Sequence, residues 1–139
     1  MAAIGAAQVE KADFYKKQRI GHGELYKERL SEIKGITTQM VQRGAVSVYW
    51  MNSILINSEE YGRTKRELME YLDKNGVETR LLFVGMNKQP SLLKYGCDGS
   101  GDYPVTDLLT RDGFYLPSGS GLKVEQIEYI CNLIKSFKK

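Results

Sequence analysis

Apolar residues recur along the chain first at helical and then at strand periods, and their order predicts the architecture. Residues 2–34 read as one long helix. Ala, Gln, Glu, Lys, Leu and Arg dominate, proline is absent, and Leu25, Tyr26, Leu30 and Ile33 recur at three- and four-residue spacing. Gly21 and Gly23 interrupt that pattern at about 1 kcal/mol each relative to alanine. They predict a bend, a close backbone contact or a division into two helices. Lys34-Gly35 is the predicted stop.

Residues 36–45 read as loop or frayed strand. Residues 46–56 are rich in β-branched and aromatic side chains and form the clearest strand. A helix follows over about 63–75, entered at Ser58 or Tyr61-Gly62, faced by Leu68, Met69 and Leu72, and closed by Asn75-Gly76. Residues 77–84 form the next strand, and the continuous run Leu81-Leu82-Phe83-Val84 predicts that it is buried. It breaks at Gly85 into a loop that ends at Pro90. A short helix over 91–95, a glycine-rich surface loop over 96–103 and a helix from Pro104 to about Thr110 come next. A short strand over 114–116 and a tight turn over 117–121 lead to a last helix over 124–137, with Ile127, Ile130, Cys131 and Ile134 on one face.

The fold class this implies is α+β: a long N-terminal helix (1–34), then a small three-stranded sheet within 46–139 with helices on one face. The 139 residues fit a single domain, and 42% hydrophobic content suits a folded core. The net charge of +3 arises from 20 basic and 17 acidic residues that are interspersed, so no nucleic-acid partner is indicated. No apolar run is long enough to span a membrane, and the short apolar N-terminus lacks the basic start of a signal peptide. A cytoplasmic setting with Cys97 and Cys131 reduced follows, since the two form no metal-binding or disulfide pattern.

Chemistry is sparse outside the loop after the second predicted strand, which carries Asn87, Lys88 and Gln89 with Arg80 just upstream. Asp98-Gly-Ser-Gly-Asp102 spaces oxygens as a calcium loop does. However, Tyr103 stands where that loop needs glycine and Leu109 where it needs glutamate, so a flexible loop is the expectation and no metal is assigned. Ser118-Gly-Ser-Gly121 lacks the lysine of a phosphate-binding loop and reads as a structural turn. His22, the sole histidine, reads as exposed and idle. Arg111-Asp-Gly-Phe-Tyr-Leu116 is a weak match to a base-stacking RNA-binding strand and is a minor alternative. No catalytic set is complete.

Six stretches carry a family resemblance: 2–11 (AAIGAAQVEK), 49–51 (YWM), 75–80 (NGVETR), 83–90 (FVGMNKQP), 103–105 (YPV) and 113–119 (GFYLPSG). In order and spacing the chain resembles the C-terminal part of the pyridoxal-phosphate-dependent sugar aminotransferases of the DegT/DnrJ/EryC1/StrS family. The 83–90 run and the Leu-Pro-Ser-Gly turn are most similar to its perosamine-synthetase-type members. The resemblance implies the small domain of a fold-type-I transferase acting on a nucleotide-linked 4-keto-6-deoxy sugar in polysaccharide or O-antigen biosynthesis, with glutamate as donor. Pyridoxal 5'-phosphate is then the cofactor of the complete enzyme, and the assembly is a homo-oligomer. It assigns Arg80, Phe83, Met86, Asn87, Lys88 and Gln89 to substrate contact, with Arg80 or Lys88 opposing a phosphate or the donor's carboxylate.

Three departures qualify this. The large domain and its cofactor-binding lysine motif have no counterpart here, so no cofactor and no transamination are expected of the lone chain. A non-catalytic binding or dimerisation module is the alternative. Met1 also falls inside a family motif, which suggests an artificially shortened chain, an internal start or a gene fragment. Asn87 replaces a common histidine and Lys123 a common helix-capping threonine.

Overall fold

A computed structural model describes residues 2–139. Helices α1 (Ala2–Val9) and α2 (Ala12–Leu30) lead into strand β1 (Ile36–Thr38). Strand β2 (Asn52–Ile56), helices α3 (Ser58–Tyr61) and α4 (Lys65–Lys74), and strand β3 (Arg80–Leu81) follow. After a 3-10 turn at Met86–Lys88 come α5 (Pro90–Lys94), α6 (Pro104–Asp112), β4 (Gly113–Leu116) and α7 (Val124–Phe137). The fold is α+β, as the periodicity predicts.

The sheet has four strands rather than three, all antiparallel, in the order β1-β2-β4-β3. Alternation along β2 turns Asn52, Ile54 and Ile56 inward. There they meet Phe114 and Leu116 of β4, Tyr26 and Leu30 of α2, Leu68 and Leu72 of α4, and Ile127, Ile130 and Ile134 of α7, all buried in one core. The other face is not bare: α6 contacts β2 and β4, and Gly113 lies so close to Leu82 and Leu55 that a Cβ there would clash with both.

Four sequence expectations are corrected. The long helix is two helices, and it breaks at Glu10-Lys11 rather than at the glycines. α1 buries no residue, so nothing holds the two in register. α2 runs straight through Gly21 and Gly23 and ends at Leu30, four residues early. Gly35, at φ +86, instead makes the turn into β1 where a Cβ would meet the Tyr61 backbone. The strand expected over 46–56 begins only at Asn52, because Tyr49 at φ +43 takes the chain out of extended conformation. The strand expected over 77–84 is two residues long and lies at the sheet edge. Its apolar run is not buried: Leu81 and Phe83 are 61% and 67% exposed. An apolar run reports what a strand offers to a partner, and here only Leu82 is half-buried, beside Gly113.

The other ends follow local chemistry. Thr64 and Glu67 form a reciprocal capping box on α4. At its far end Val77 N–H donates to Leu72 and Gly76 N–H to Asp73, with Gly76 at φ +75.

Candidate functional site

The loop that leaves β3 is built against α6. Thr110 Oγ1 donates to the Phe83 carbonyl (3.4 Å), and Gln89 Nε2 donates to the Val84 carbonyl (3.0 Å), closing the loop on itself. Lys88 Nζ reaches Asp107 Oδ1 at 2.5 Å. Gly85 is closely packed here: a Cβ would lie 2.4 Å from Thr106 Cγ2 and 2.5 Å from Asn87 Oδ1, so either side chain would have to shift. The result is an open cleft of about 730 Å³ lined by Phe83, Met86, Asn87, Gln89, Cys97 and Tyr103, among others.

Of the six substrate candidates, the cleft therefore gathers four: Phe83, Met86, Asn87 and Gln89. Asn87 and Gln89 are half-buried, while Phe83 and Met86 are largely exposed. The Phe83 ring stands edge-on to Tyr115, centroids 5.8 Å apart. Lys88 is turned toward α6. Arg80 lies outside this cleft, paired with Glu78 at 3.0 Å, and both side chains are about three-quarters exposed. Such exposed pairs contribute about 0–1 kcal/mol, so either cation exchanges its partner for a ligand anion at little cost.

Arg80 belongs instead to a second cleft, of about 400 Å³, which it shares with Arg19, Trp50, Glu78, Tyr115 and Pro117 among others. Tyr115 thus faces the second cleft while touching Phe83 of the first. Sequence reasoning missed this group. The signal was there in Trp50, the only tryptophan, inside one of the family stretches.

The segment that carries Trp50 is held from several sides. The Tyr49 hydroxyl donates to Glu24 Oε1 (2.7 Å), Arg19 Nη1 donates to the Trp50 carbonyl (2.8 Å), and Asn52 N–H donates to Ser118 Oγ (2.8 Å). A left-handed φ costs a non-glycine residue roughly 1–2 kcal/mol, and these anchors hold Tyr49 there. Burial raises the Tyr49 hydroxyl to about 12, and the Glu24 carboxylate adds to the shift. The phenol therefore stays protonated and keeps donating.

The remaining motifs resolve structurally. Asp98 Oδ1 accepts from Ser100 N–H and Oγ (2.8 and 2.6 Å), which closes the glycine-rich loop on itself. Among the described residues, no three His, Cys, Asp or Glu side chains come together as metal ligands. Ser118 Oγ donates to the Leu116 carbonyl and so serves β2 and β4, as a structural turn would. Phe114 is fully buried and cannot stack on a base. His22 is buried rather than exposed, with no hydrogen-bond partner at Nδ1, a consequence of tertiary packing around α2 that helical periodicity does not report. A third cleft contains Arg111 and Asp112, joined by two hydrogen bonds (2.9 and 2.7 Å). No lysine lines any of these three clefts. No helix among the described residues is long and apolar enough to cross a membrane.

Comparison with known proteins bears on the family and the fold. The chain is 30% identical over 138 residues to the GDP-perosamine synthase of Vibrio cholerae, covering 98% of this chain and 36% of that protein. The fold matches the crystal structure of DesV from S. venezuelae with a TM-score of 0.85 at 18% identity, over 98% of this chain and 35% of that one. It also matches an E. coli GDP-4-keto-6-deoxy-D-mannose-3-dehydratase solved with bound hydrated PLP, with a TM-score of 0.81 at 20% identity, over 96% of this chain and 34% of that one. The chain thus spans about a third of the length of the proteins it matches. The sequence pattern of the DegT/DnrJ/EryC1/StrS aminotransferase family covers residues 1–135, and the chain belongs to that family.

Proposed function

We propose that this chain is the substrate-facing part of an aminotransferase acting on a nucleotide-linked 4-keto-6-deoxy sugar in polysaccharide biosynthesis. In this reading glutamate is the amine donor and pyridoxal 5'-phosphate the cofactor, and the enzyme is a cytoplasmic homo-oligomer. The supporting observation is the cleft at residues 83–89, which places two amides beside an aromatic ring on a stretch that the family pattern covers. Each amide both donates and accepts, which suits sugar hydroxyls. Phe83 offers an apolar platform for a deoxy sugar face. Lys88 and Arg80 are the cations available to a phosphate or to the donor's carboxylate once they leave Asp107 and Glu78. The cofactor supplies the amine-carrying chemistry when bound. The reading places its lysine outside residues 2–139, and the lone chain does not transaminate.

Two measurements test this. The chain mixed with pyridoxal phosphate and gel-filtered is expected to carry no cofactor absorbance; a band that co-elutes overturns the assignment of cofactor binding to another segment. Titration with GDP-mannose, followed by calorimetry, is expected to show binding weakened by Asn87→Ala and Gln89→Ala. Binding indifferent to both removes the cleft from the substrate site.

A second reading is favoured by a specific observation. Leu81, Phe83, Met86 and Val105 are 61–70% exposed, which is the composition of a protein interface. A non-catalytic binding or dimerisation module predicts concentration-dependent self-association that Phe83→Ser abolishes, read by light scattering.

A further inference from the structure

We infer that residues 83–112 unfold and refold as one unit on a fold that stays intact, so that the cleft they carry exists only while the unit is closed, and that Lys65 is the clasp that holds it closed. This holds whatever the cleft binds, and so stands or falls apart from the substrate assigned to it.

Three observations carry it. First, no residue between Val77 and Gly113 is buried, whereas the core is drawn from α2, β1, β2, α3, α4, β4 and α7. Neither α5 nor α6 buries a side chain. Ordering a segment costs conformational entropy, and apolar burial is the main term that offsets it. A segment that buries so little opens at a smaller free energy than the core. Second, the unit begins and ends on neighbouring strands. Leu81 of β3 is paired with Phe114 of β4, so the residues between can leave without parting the sheet. Third, its contacts are largely its own. Lys88 pairs with Asp107, Gln89 Nε2 donates to the Val84 carbonyl, and the N–H groups of Lys88, Leu92, Tyr95, Cys97 and Asp107 all donate within it. A Cβ at Gly99 would fall 2.4 Å from the Asn87 carbonyl oxygen and 2.7 Å from Leu93 Cδ2, so the glycine-rich loop is packed on the unit's own backbone. Every residue that lines the cleft of about 730 Å³ lies within 83–106. The same closure that orders the unit therefore assembles the cleft.

The clasp reaches in from the core. Lys65, at the start of α4, is half-buried, and its Nζ donates to the Thr110 carbonyl (3.0 Å) and the Gly113 carbonyl (3.5 Å). These carbonyls lie at the end of α6, where a cation is favoured. The other attachments are α6 against β2 and β4 and the edge of the Phe83 ring on Tyr115. Lys65 lines none of the three clefts, so it acts on the loop cleft as a positioning residue from outside. A ligand of that cleft binds the closed unit alone, and its apparent affinity falls with the closed fraction.

Hydrogen–deuterium exchange of the whole chain tests this, because hydrogen-bonded amides exist on both sides of the boundary. Those of Leu92, Leu93, Tyr95, Cys97 and Asp107 report on the unit, and those of Ile36, Leu68 and Val77 on the core. The unit's amides are expected to exchange about a hundredfold or more faster than the core's. Low urea should quicken them together toward one common rate, since a single opening exposes them all. Lys65→Met keeps the stem and removes the donor. It is expected to speed exchange in the unit about tenfold and to leave the core unchanged. Ile134→Val, at a fully buried position of α7, should do the reverse, speeding the core about two- to tenfold and leaving the unit as it was. Arg66→Met, at the next position of α4 and exposed, should alter neither. Circular dichroism checks that each variant is folded. Unit amides as slow as those of the core overturn the inference, as does an Ile134→Val effect equal in both regions, because the unit would then open only with the whole fold. Unit amides that exchange at unrelated rates without response to urea also overturn it, since they would be fraying one by one. Exchange in the unit that Lys65→Met leaves unchanged, or that it speeds no more than in the core, overturns the clasp.

Discussion

Replacing Gly21 and Gly23 with alanine, two positions apart on α2, is expected to move stability in opposite directions. Both glycines sit inside a regular helix, where alanine is favoured by about 0.5–1 kcal/mol. A Cβ at Gly21 meets nothing within 4 Å, so Gly21→Ala is expected to gain that amount. A Cβ at Gly23 lies 2.2 Å from Tyr49 Cγ and 2.5 Å from Cδ1 and Cδ2. Carbon contacts settle near 3.5–4.0 Å, so the ring must retreat by more than about 1 Å. It has little room, being 4% exposed with its hydroxyl held by Glu24. Overpacking of this kind costs about 1–3 kcal/mol, so the net change for Gly23→Ala is a loss of about 1–2 kcal/mol. In a Tyr49→Gly background the ring is gone and the backbone strain is relieved. There Gly23→Ala should recover the ordinary helical gain of about 1 kcal/mol. Urea unfolding followed by circular dichroism reads all of this. With a slope of about 2 kcal/mol per molar urea, the midpoint rises by about 0.3–0.5 M for Gly21→Ala and falls by about 0.5–1 M for Gly23→Ala. If Gly23→Ala stabilises the wild-type chain, or if its effect is unchanged by Tyr49→Gly, the close-packing account of this glycine is refuted.

Three further outcomes follow from the same physics. Ile134→Ala, at a fully buried position of α7, is expected to cost about 2–5 kcal/mol in urea unfolding, whereas Val124→Ala at the exposed start of that helix should cost under about 0.5 kcal/mol. Lys123→Thr is expected to gain about 0.5–1 kcal/mol in thermal unfolding, because Gln126 Oε1 already accepts the residue-123 N–H and a threonine oxygen would accept in return, as lysine cannot. Alkaline pH should destabilise the fold. Burial raises the Cys131 thiol to about 12 and lifts the Tyr26 and Tyr61 phenols as well. The folded state then holds protons that the unfolded chain has released, so stability is full below about pH 8.5 and is lost as pH rises toward 12. Urea midpoints at pH 7, 9 and 10.5 check the slope, and Cys131→Ala should remove its earliest part.

The sequence by itself determined much of this protein. The periodicity of α7 and of α4 places their buried faces correctly, because a helix must turn one stripe to any core whatever lies opposite. Thr64–Glu67 and Asn75-Gly76 end α4 through contacts within a few residues, although the entry was read at Ser58 or Tyr61-Gly62 rather than at Thr64. The 83–90 loop stands out in the sequence as a candidate because its amides and cation follow an apolar run and because the stretch resembles a family's, and the structure places four of the six candidates along one cleft. What the sequence could not decide depended on partners far along the chain. Residues 81–84 look buried because an apolar run does not record how much packs on it, and at this sheet edge Leu82 is half-buried while Leu81, Phe83 and Val84 stay exposed. Residues 46–51 look like strand, but Tyr49 packs on Gly23, twenty-six positions earlier, and that contact takes the chain out of the ladder. His22 looks idle, yet it is buried. The division of five of the six candidate residues between two clefts, with Lys88 in neither, and the presence of Arg19 and Trp50 beside Arg80, arise only when α2, the segment before β2 and the edge of the sheet meet. Local chemistry is written within a few residues; a shared cavity is a property of elements that close on each other from a distance.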